Sequence, residues 1–314
     1  MPDVVISPRH TEAATRRTGF IQAVGAYGLW GLLPVYFLLL TPTGPFEIVA
    51  LRIIFSLALC AVLLTATRQW GAVIAIARQP RLMLTIALAG VFIYVNWQVY
   101  ILATLTGHVL EGALGYFINP IVTVLLGVLF LRERLRPVQW IAVGISFVAV
   151  LVLAIGYGQF PWISLTLAFS FGFYGLIKKR VGPRVDAVSG LTLETAWLTP
   201  VAIIQLVVVG ATTGLTIGQA GPWNTIALVA TGVITATPLL MFAGAARRIP
   251  LITLGLVQYL APLLQFAIGA FVLNEDLPVE RWIGFGLVWV ALIVLTIDMV
   301  ISGRAARRAL PILT

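Results

Sequence analysis

The segment LRERLRPVQWIAVGISFVAV at residues 131–150 has a second version, LNEDLPVERWIGFGLVWVAL, at residues 273–292. The two segments align without a gap at a shift of 142 positions. Extending the alignment to residues 114–153 and 256–295 gives 13 identities in 40 positions, more than apolar composition alone produces. The sequence therefore predicts an internal duplication.

The composition is typical of a membrane protein. Hydrophobic residues make up 60% of the chain, charged residues make up 10%, and the mean hydropathy is +1.04, which lies outside the range of soluble domains. Apolar runs of 18 or more residues follow one another, and each can cross a hydrocarbon layer of roughly 30 Å. A transmembrane β-barrel would instead alternate polar and apolar residues in shorter segments. Helices are therefore the expected way to satisfy the backbone in lipid.

The hydropathy pattern predicts an all-α integral membrane protein with ten transmembrane helices. The expected spans are residues 19–40, 46–66, 82–104, 108–131, 138–156, 160–177, 187–209, 225–246, 250–273 and 282–301. They divide the chain into an N-terminal tail (1–18), a first five-helix repeat (19–157), a second five-helix repeat (158–301) and a C-terminal tail (302–314).

The basic residues predict the orientation. Of the 20 Lys and Arg residues, 18 fall on the side that carries both termini, Arg281 falls on the other side, and Arg52 lies within a span. The positive-inside rule therefore places both tails in the cytoplasm. Because topology and the membrane surface explain the net charge of +9, no nucleic-acid partner is expected.

The duplicated segments differ in charge at one loop. The first copy has arginine at positions 132, 134 and 136, where the second has Asn274, Asp276 and Pro278. Duplication of a unit with an odd number of spans inserts the second copy upside down. The loop of the first copy is then cytoplasmic, and the equivalent loop of the second copy is external. This pattern predicts two inverted five-helix repeats, an architecture of many secondary transporters that bind substrate between their halves.

Several motifs resemble one family in their order along the chain. They are AYGLWGLLPVYF (26–37), ALRIIFS (50–56), NWQVYILAT (96–104), EGALGYFINPIVTVLLGVLFLRERL (111–135), LAFSFGFYGLIKK (167–179), LTLETAWLTPVA (191–202), TATPLL (235–240) and LGLVQYLAP (254–262). Together they resemble the RarD proteins, in the EamA branch of the drug/metabolite transporter superfamily. The resemblance implies a ten-helix permease of the bacterial inner membrane, usually considered an exporter, and it implies no particular substrate.

Among the charged residues within predicted spans, three stand out, namely Arg52, Glu111 and Glu194. A charge at such a depth costs about 2.5–3.5 kcal/mol on insertion scales, so each needs a partner or a watery cavity. Counting along the spans places Arg52 and Glu111 at a similar depth in the outer half, which predicts an ion pair between them. In the functional interpretation Arg52 binds an anionic part of the substrate, and Glu111 or Glu194 titrates to couple export to proton entry. In the alternative interpretation these residues only fix the helix register.

A second group of candidates consists of polar and aromatic residues at mid-span. Its members are Trp30, Asn96, Trp97, Tyr100, Tyr116, Asn119, Tyr174, Gln258 and Tyr259. The alternative for the amides is hydrogen bonding between helices, and the alternative for the aromatic residues is packing or an interfacial belt. Pro120 and Pro262 are equivalent under the duplication, and both are predicted hinges because proline removes an intrahelical hydrogen bond.

Two further sets of equivalent residues receive structural roles. Glu133 and Glu275 lie at opposite membrane surfaces and are expected to cap or pack loops rather than to form one site. Close helix approach is expected at Gly112, Gly115, Gly127, Gly144, Gly269 and Gly286.

The motifs of other functional classes are absent from the sequence. It contains no G-x-x-x-x-G-K-[ST], G-x-S-x-G or H-E-x-x-H segment, which disfavours an ATP-driven pump and the common hydrolases. The sequence therefore predicts a secondary carrier of small metabolites or drug-like compounds, working by alternating access without a cofactor or metal. The alternatives are a lipid or nucleotide-sugar translocator and, from a different class, a membrane-embedded enzyme. A monomer and a homodimer both stay open.

Overall fold

The structure is a computed structural model that describes residues 8–131, 136–156, 160–181, 184–246, 248–249 and 257–309. Helix is the only regular secondary structure within these ranges. The helices are α1 (Pro8–Leu38), α2 (Pro45–Thr67), α3 (Trp70–Ala77), α4 (Pro80–Leu105), α5 (Val109–Leu131), α6 (Pro137–Gly156), α7 (Trp162–Val181), α8 (Ala187–Thr212), α9 (Pro222–Ala246), α10 (Leu260–Ala267) and α11 (Val279–Ala309). A π-helical turn, Ile268–Val272, directly follows α10.

The helices confirm that the chain is an all-α membrane protein. Seven of them, α1, α2, α4, α5, α8, α9 and α11, contain stretches long and apolar enough to cross a membrane. The other three predicted spans coincide with shorter apolar helices at Pro137–Val152, Trp162–Lys178 and Leu260–Val272. The count of ten spans stays a prediction, because these three are shorter than a typical crossing and residues 250–256 lie outside the described ranges.

One helix was not predicted from the hydropathy pattern. The eight-residue α3 lies between the second and third spans, buries Val73 and Ile76, and exposes Trp70 and Ile74. Its apolar run is too short to register as a span, and Pro80 starts the next helix immediately after it.

Local chemistry sets the helix ends. α2 starts with Pro45 after Gly44, where the missing N–H of proline costs nothing. The same helix ends at Arg68, which adopts the left-handed conformation (φ 55°) that commonly closes helices. At the start of α8, the Asp186 side chain accepts hydrogen bonds from the N–H groups of Val188 and Ser189, as a helix N-cap does.

The packing partners of the two predicted halves correspond to each other. α1 packs on α9 and α10, while α7, its counterpart in the second half, packs on α4 and α5. Three further pairs join equivalent helices, α2 with α8, α5 with α10, and α6 with α11. The largest buried cluster draws residues from α1, α2, α4, α7, α8 and α9, so the core lies between the halves.

Glycines permit the closest of these contacts. A Cβ atom on Gly115 would lie 2.7 Å from the carbonyl oxygen of Ser164, and one on Gly232 would lie 2.5 Å from that of Phe55. The prediction of close approach therefore holds for Gly115. It is wrong for Gly144 and Gly286, because within the described ranges no other helix has an atom within 4 Å of a Cβ built at either. Gly144 is exposed and Gly286 is half-buried, and at neither does the repeated sequence produce a close helix contact.

Candidate functional site

Arg52, on α2, is buried between the two halves and is only 4% exposed. Its Nε donates a 2.7 Å hydrogen bond to the hydroxyl of Thr235 on α9. Its guanidinium carbon lies 4.3 Å from the ring centroid of Trp97 on α4 and 5.7 Å from that of Phe37 on α1. Arg52 therefore joins both halves of the chain within an aromatic environment.

Three tyrosines complete this environment. The ring centroids of Tyr36 and Tyr100 lie 5.8 and 6.2 Å from that of Phe37, and the centroid of Tyr116 lies 5.4 Å from that of Tyr100. The predicted candidates Trp97, Tyr100 and Tyr116 are thus brought together with Arg52. The Tyr116 hydroxyl donates a 2.9 Å hydrogen bond to Asn96 Oδ1. The Asn96 amide also donates to the Leu167 carbonyl and the Ser170 hydroxyl of α7. Asn96 therefore ties helices together and orients Tyr116.

Glu194 forms a second charged group, on α8, and its side chain is 2% exposed. Its Oε1 lies 2.7 Å from Lys178 Nζ, and its Oε2 accepts a 3.2 Å hydrogen bond from the Tyr174 hydroxyl. The sequence pattern assigned Lys178 to a cytoplasmic loop, whereas the structure places it on α7, one turn after Tyr174. Both oxygens of Glu194 are therefore occupied by residues of its own half.

A run of aromatic rings connects the two charged groups. The centroids of Tyr100 and Tyr116 lie 5.4 Å apart, those of Tyr116 and Phe171 lie 6.0 Å apart, and those of Phe171 and Tyr174 lie 5.9 Å apart. Tyr116 and Phe171 keep part of their surface accessible. An apolar solute moving between Arg52 and Glu194 would meet aromatic faces along this run.

Glu111 pairs with Arg281, not with Arg52. The Arg281 Nη2 lies 3.3 Å from Glu111 Oε1. Arg52 and Glu111 both lie in the described part of the chain, and no ion pair or hydrogen bond joins them. The predicted Arg52–Glu111 pair is therefore wrong. The two side chains point to different partners: Arg52 points toward α9 and Glu111 toward the start of α11.

The Glu111–Arg281 pair borders a cavity of about 320 Å³. Its lining includes Thr106, His108, Phe160, Trp162, Ser164 and Phe285. The cavity lies at the membrane side predicted to be external, away from Arg52. Because the opposite charges of Glu111 and Arg281 cancel, the pair does not attract a dissolved ion into the cavity.

Glu275 caps the start of α5. Its two carboxylate oxygens accept hydrogen bonds from the N–H groups of Val109 at 2.6 Å and Leu110 at 2.9 Å. Burial raises the pKa of Glu275, and these two N–H groups oppose part of that rise. The predicted capping role is confirmed for Glu275, while its equivalent Glu133 lies outside the described residues.

Replacing this cap has a predictable local effect. In Glu275→Ala the first N–H groups of α5 lose their acceptor, so we expect a loss of about 1–2 kcal/mol, the range of helix N-caps. Amide hydrogen exchange at residues 109–112 should accelerate more than in the rest of α5. The control is Asp276→Ala, the neighbouring acid with an exposed residue surface, which should leave exchange unchanged. Equal exchange in both variants would show that Glu275 does not hold the helix end.

The remaining candidates lie apart from Arg52. Trp30 packs against Tyr27 and Phe242, with ring centroids 5.2 and 5.9 Å apart. The Asn119 amide donates to the Ala168 carbonyl at 3.0 Å, joining α5 to α7. Tyr259 packs on the cluster between α5, α10 and α11.

The proline and glutamine predictions stay open. Pro120 lies inside α5. Pro262 is the third residue of α10 and follows a turn that contains Gln258 and Tyr259. The hinge role of both prolines stays a prediction, as does the coupling of Glu111 or Glu194 to protons.

Sequence reasoning missed several partners in these groups, namely Phe37, Lys178, Thr235 and Arg281. Phe37 and Thr235 both belong to quoted motifs, but a mid-span phenylalanine or threonine is too ordinary to single out. The residue opposite Arg52 is decided by the contact of α2 with α9, which no local pattern reveals.

Comparison with known proteins identifies the family. The sequence profile of the EamA-like transporter family matches residues 17–155. The protein RarD of Streptomyces exfoliatus is 49% identical over 295 residues, covering 94% of this chain and 93% of its own. The chain belongs to the RarD family of EamA-like transporters. The protein RarD of Escherichia coli K12 is 38% identical over 293 residues, covering 93% of this chain and 98% of its own.

Other similar proteins agree with membership of the RarD family. A Vibrio cholerae protein described as an uncharacterized transporter is 38% identical over 294 residues, covering 93% of this chain and 96% of its own. A protein of known crystal structure, 19% identical, superposes with a TM-score of 0.59 over 89% of this chain and 97% of that chain. This likeness supports the fold. The chain is thus a multi-pass membrane transporter of the drug/metabolite type.

Proposed function

We propose that the chain is a secondary carrier that exports a small organic solute across the bacterial inner membrane by alternating access. The observation that supports this most directly is the position of Arg52, a buried cation on the first half whose hydrogen-bond partner, Thr235, lies on the second. Carriers built from inverted repeats bind substrate at such an interface. A charged residue within a membrane span is also energetically unfavourable, and such residues are most often functional.

The reciprocal packing of the helices supports the inverted repeat. α1 and α7, the first helices of the two halves, each pack on the third and fourth helices of the opposite half in the predicted count. A pseudo-twofold axis in the membrane plane produces this arrangement. Rocking of one half against the other would then open each membrane side in turn, with the termini in the cytoplasm as the basic residues predict.

Two engineered cysteines test alternating access. Cys60, the single native cysteine, is first replaced by serine. Leu110→Cys, at the predicted external end of α5, and Ala23→Cys, at the predicted cytoplasmic end of α1, are then made separately. Both native residues are at most 1% exposed. Labelling by a water-soluble maleimide should change in opposite directions at the two sites when a stabilising solute is added.

The solute is found by a thermal-shift screen of amino acids, small carboxylates, nucleosides and amphipathic antibiotics, because a ligand that binds only the folded state raises its stability. Liposomes containing the protein are then tested for flux of the solute, and its mass is checked for chemical conversion. Flux of unchanged solute supports a carrier. Conversion without flux would establish the membrane-embedded enzyme instead, and parallel labelling at both cysteines would contradict alternating access.

A further inference from the structure

Arg52 is a buried cation that forms no ion pair with a carboxylate of the described residues. Its neighbours in the described structure are the rings of Phe37 and Trp97 and the hydroxyl of Thr235. The contact with the Trp97 ring compensates part of the lost hydration. An anionic partner would offset the rest.

The guanidinium also has unused hydrogen-bond donors. Arginine has five N–H donors in a planar fork, and the Arg52 Nε–H is used by Thr235. The two terminal nitrogens donate to none of the described residues. Their spacing matches the two oxygens of a carboxylate.

A second unused donor belongs to the same environment. The Tyr100 hydroxyl is buried and has no hydrogen-bond partner in the described structure. By contrast, the Tyr36 hydroxyl donates to the Ala227 carbonyl, and the Tyr116 hydroxyl donates to Asn96. Tyr100 is therefore the phenol near Arg52 that is free to donate to a ligand.

The surroundings of these donors are aromatic and apolar. The Tyr100 ring centroid lies 6.2 Å from that of Phe37 and 5.4 Å from that of Tyr116. Trp97 and Phe37 flank the guanidinium. Flat faces of this kind favour stacking with a flat apolar group.

We propose that Arg52 and Tyr100 bind the carboxylate of a singly charged substrate whose body is flat and apolar. This inference rests on the proposed carrier function, because it assigns the substrate class of the same central site. One carboxylate neutralises one guanidinium. A dicarboxylate or a phosphate dianion would leave a second, uncompensated charge in a nonpolar place, so the site selects against both.

The test compares matched acids and amides on the purified full-length protein. The probes are benzoate, 3-phenylpropionate and indole-3-acetate, each with its neutral amide, and phthalate as the dianion. Isothermal titration calorimetry should show that at least one acid binds about ten- to a hundredfold more tightly than its amide, the ratio expected for charge-assisted hydrogen bonds. Phthalate should bind more weakly than benzoate.

The variants identify the residues responsible. Arg52→Gln should make acid and amide bind equally, and Tyr100→Phe should reduce the preference by about tenfold or less. The matched control is Arg281→Gln, a second buried arginine that already has the Glu111 carboxylate, and it should keep the preference. Because the acid–amide comparison in the parent needs no variant, it stands even if Arg52→Gln fails to fold.

The outcomes separate this inference from the carrier function. Equal binding of acid and amide in the parent, or binding of none of the three acids, overturns the proposed substrate class, whatever the liposome assay shows. An acid preference that survives Arg52→Gln overturns the assigned residues. An Arg52-dependent acid preference without flux into liposomes supports the anion site and contradicts the carrier.

Discussion

Gly232→Ala should destabilise the protein strongly, although it adds a single methyl group. The new Cβ would lie 2.5 Å from the carbonyl oxygen and 2.6 Å from the carbonyl carbon of Phe55, on α2. Backbone atoms of a packed helix cannot rotate away as a side chain does, so α2 and α9 would have to separate. We expect a loss of about 3 kcal/mol, at the upper end of the usual range for overpacking, measured as a lower melting temperature in detergent.

The same substitution should also disturb the central site. Phe55 lies three residues after Arg52 on α2, and Thr235 lies three residues after Gly232 on α9, so the helix contact and the Arg52–Thr235 hydrogen bond are neighbours. Gly232→Ala should therefore lower both the stability and the preference of the central site for an acid over its neutral amide. The matched control is Gly286→Ala, where no atom lies within 4 Å of the new Cβ.

The control, Gly286→Ala, should not lose stability. Alanine is a better helix former than glycine by up to about 1 kcal/mol, so Gly286→Ala should be neutral or stabilising. Equal melting temperatures for the two variants would show that α2 and α9 are not in close contact at Gly232.

The second large effect concerns the Lys178–Glu194 pair and is asymmetric. Lys178→Met leaves the Glu194 carboxylate, whose side chain is 2% exposed, without its cation. Removing one partner of a buried pair costs about 3 kcal/mol or more. Glu194→Gln should cost less, because the Lys178 side chain is 31% exposed and its ammonium group can reach water.

The double variant tests the coupling directly. In Lys178→Met with Glu194→Gln, neither charge remains and the glutamine can still accept the Tyr174 hydrogen bond. We therefore expect the double variant to be more stable than Lys178→Met alone, with the coupling obtained from a double-mutant cycle. Arg180→Met, an exposed position on the same helix, serves as the control. Additive effects of the two substitutions would mean that the pair contributes little.

Predictions from the sequence agree with the structure where they depend on local sequence. They fail where they depend on contacts between residues far apart in the chain. Glu275 was assigned a capping role from its place in a loop between spans, and it caps α5. Arg52 was singled out because a charge within an apolar run is rare. In contrast, Glu111 was given the wrong partner, because position along a span predicts depth but not the direction in which a side chain points.

The glycines show the same limit. Gly115 and Gly144 belong to similar apolar helices, yet a Cβ on Gly115 would meet the Ser164 backbone, whereas one on Gly144 would meet no other helix of the described structure within 4 Å. Only the placement of a second helix decides which glycine is needed. Gly232, whose contact is the closest to a backbone atom, drew no attention in the sequence because it lacks a match in the clearest part of the duplication.

By itself, the sequence determined the membrane class and the helical architecture, and it singled out Arg52 and Glu194 as buried charges. The length of an apolar run and the presence of a charge within it are local properties, and both decide whether a segment is stable in lipid. The duplication also predicted which helices are equivalent. Tertiary structure alone decided that Arg52 meets Thr235 and Trp97, that Glu111 meets Arg281 and that Glu194 meets Lys178. These contacts join residues far apart in the chain, and they follow from helix faces and crossing positions that depend on all the packed side chains together.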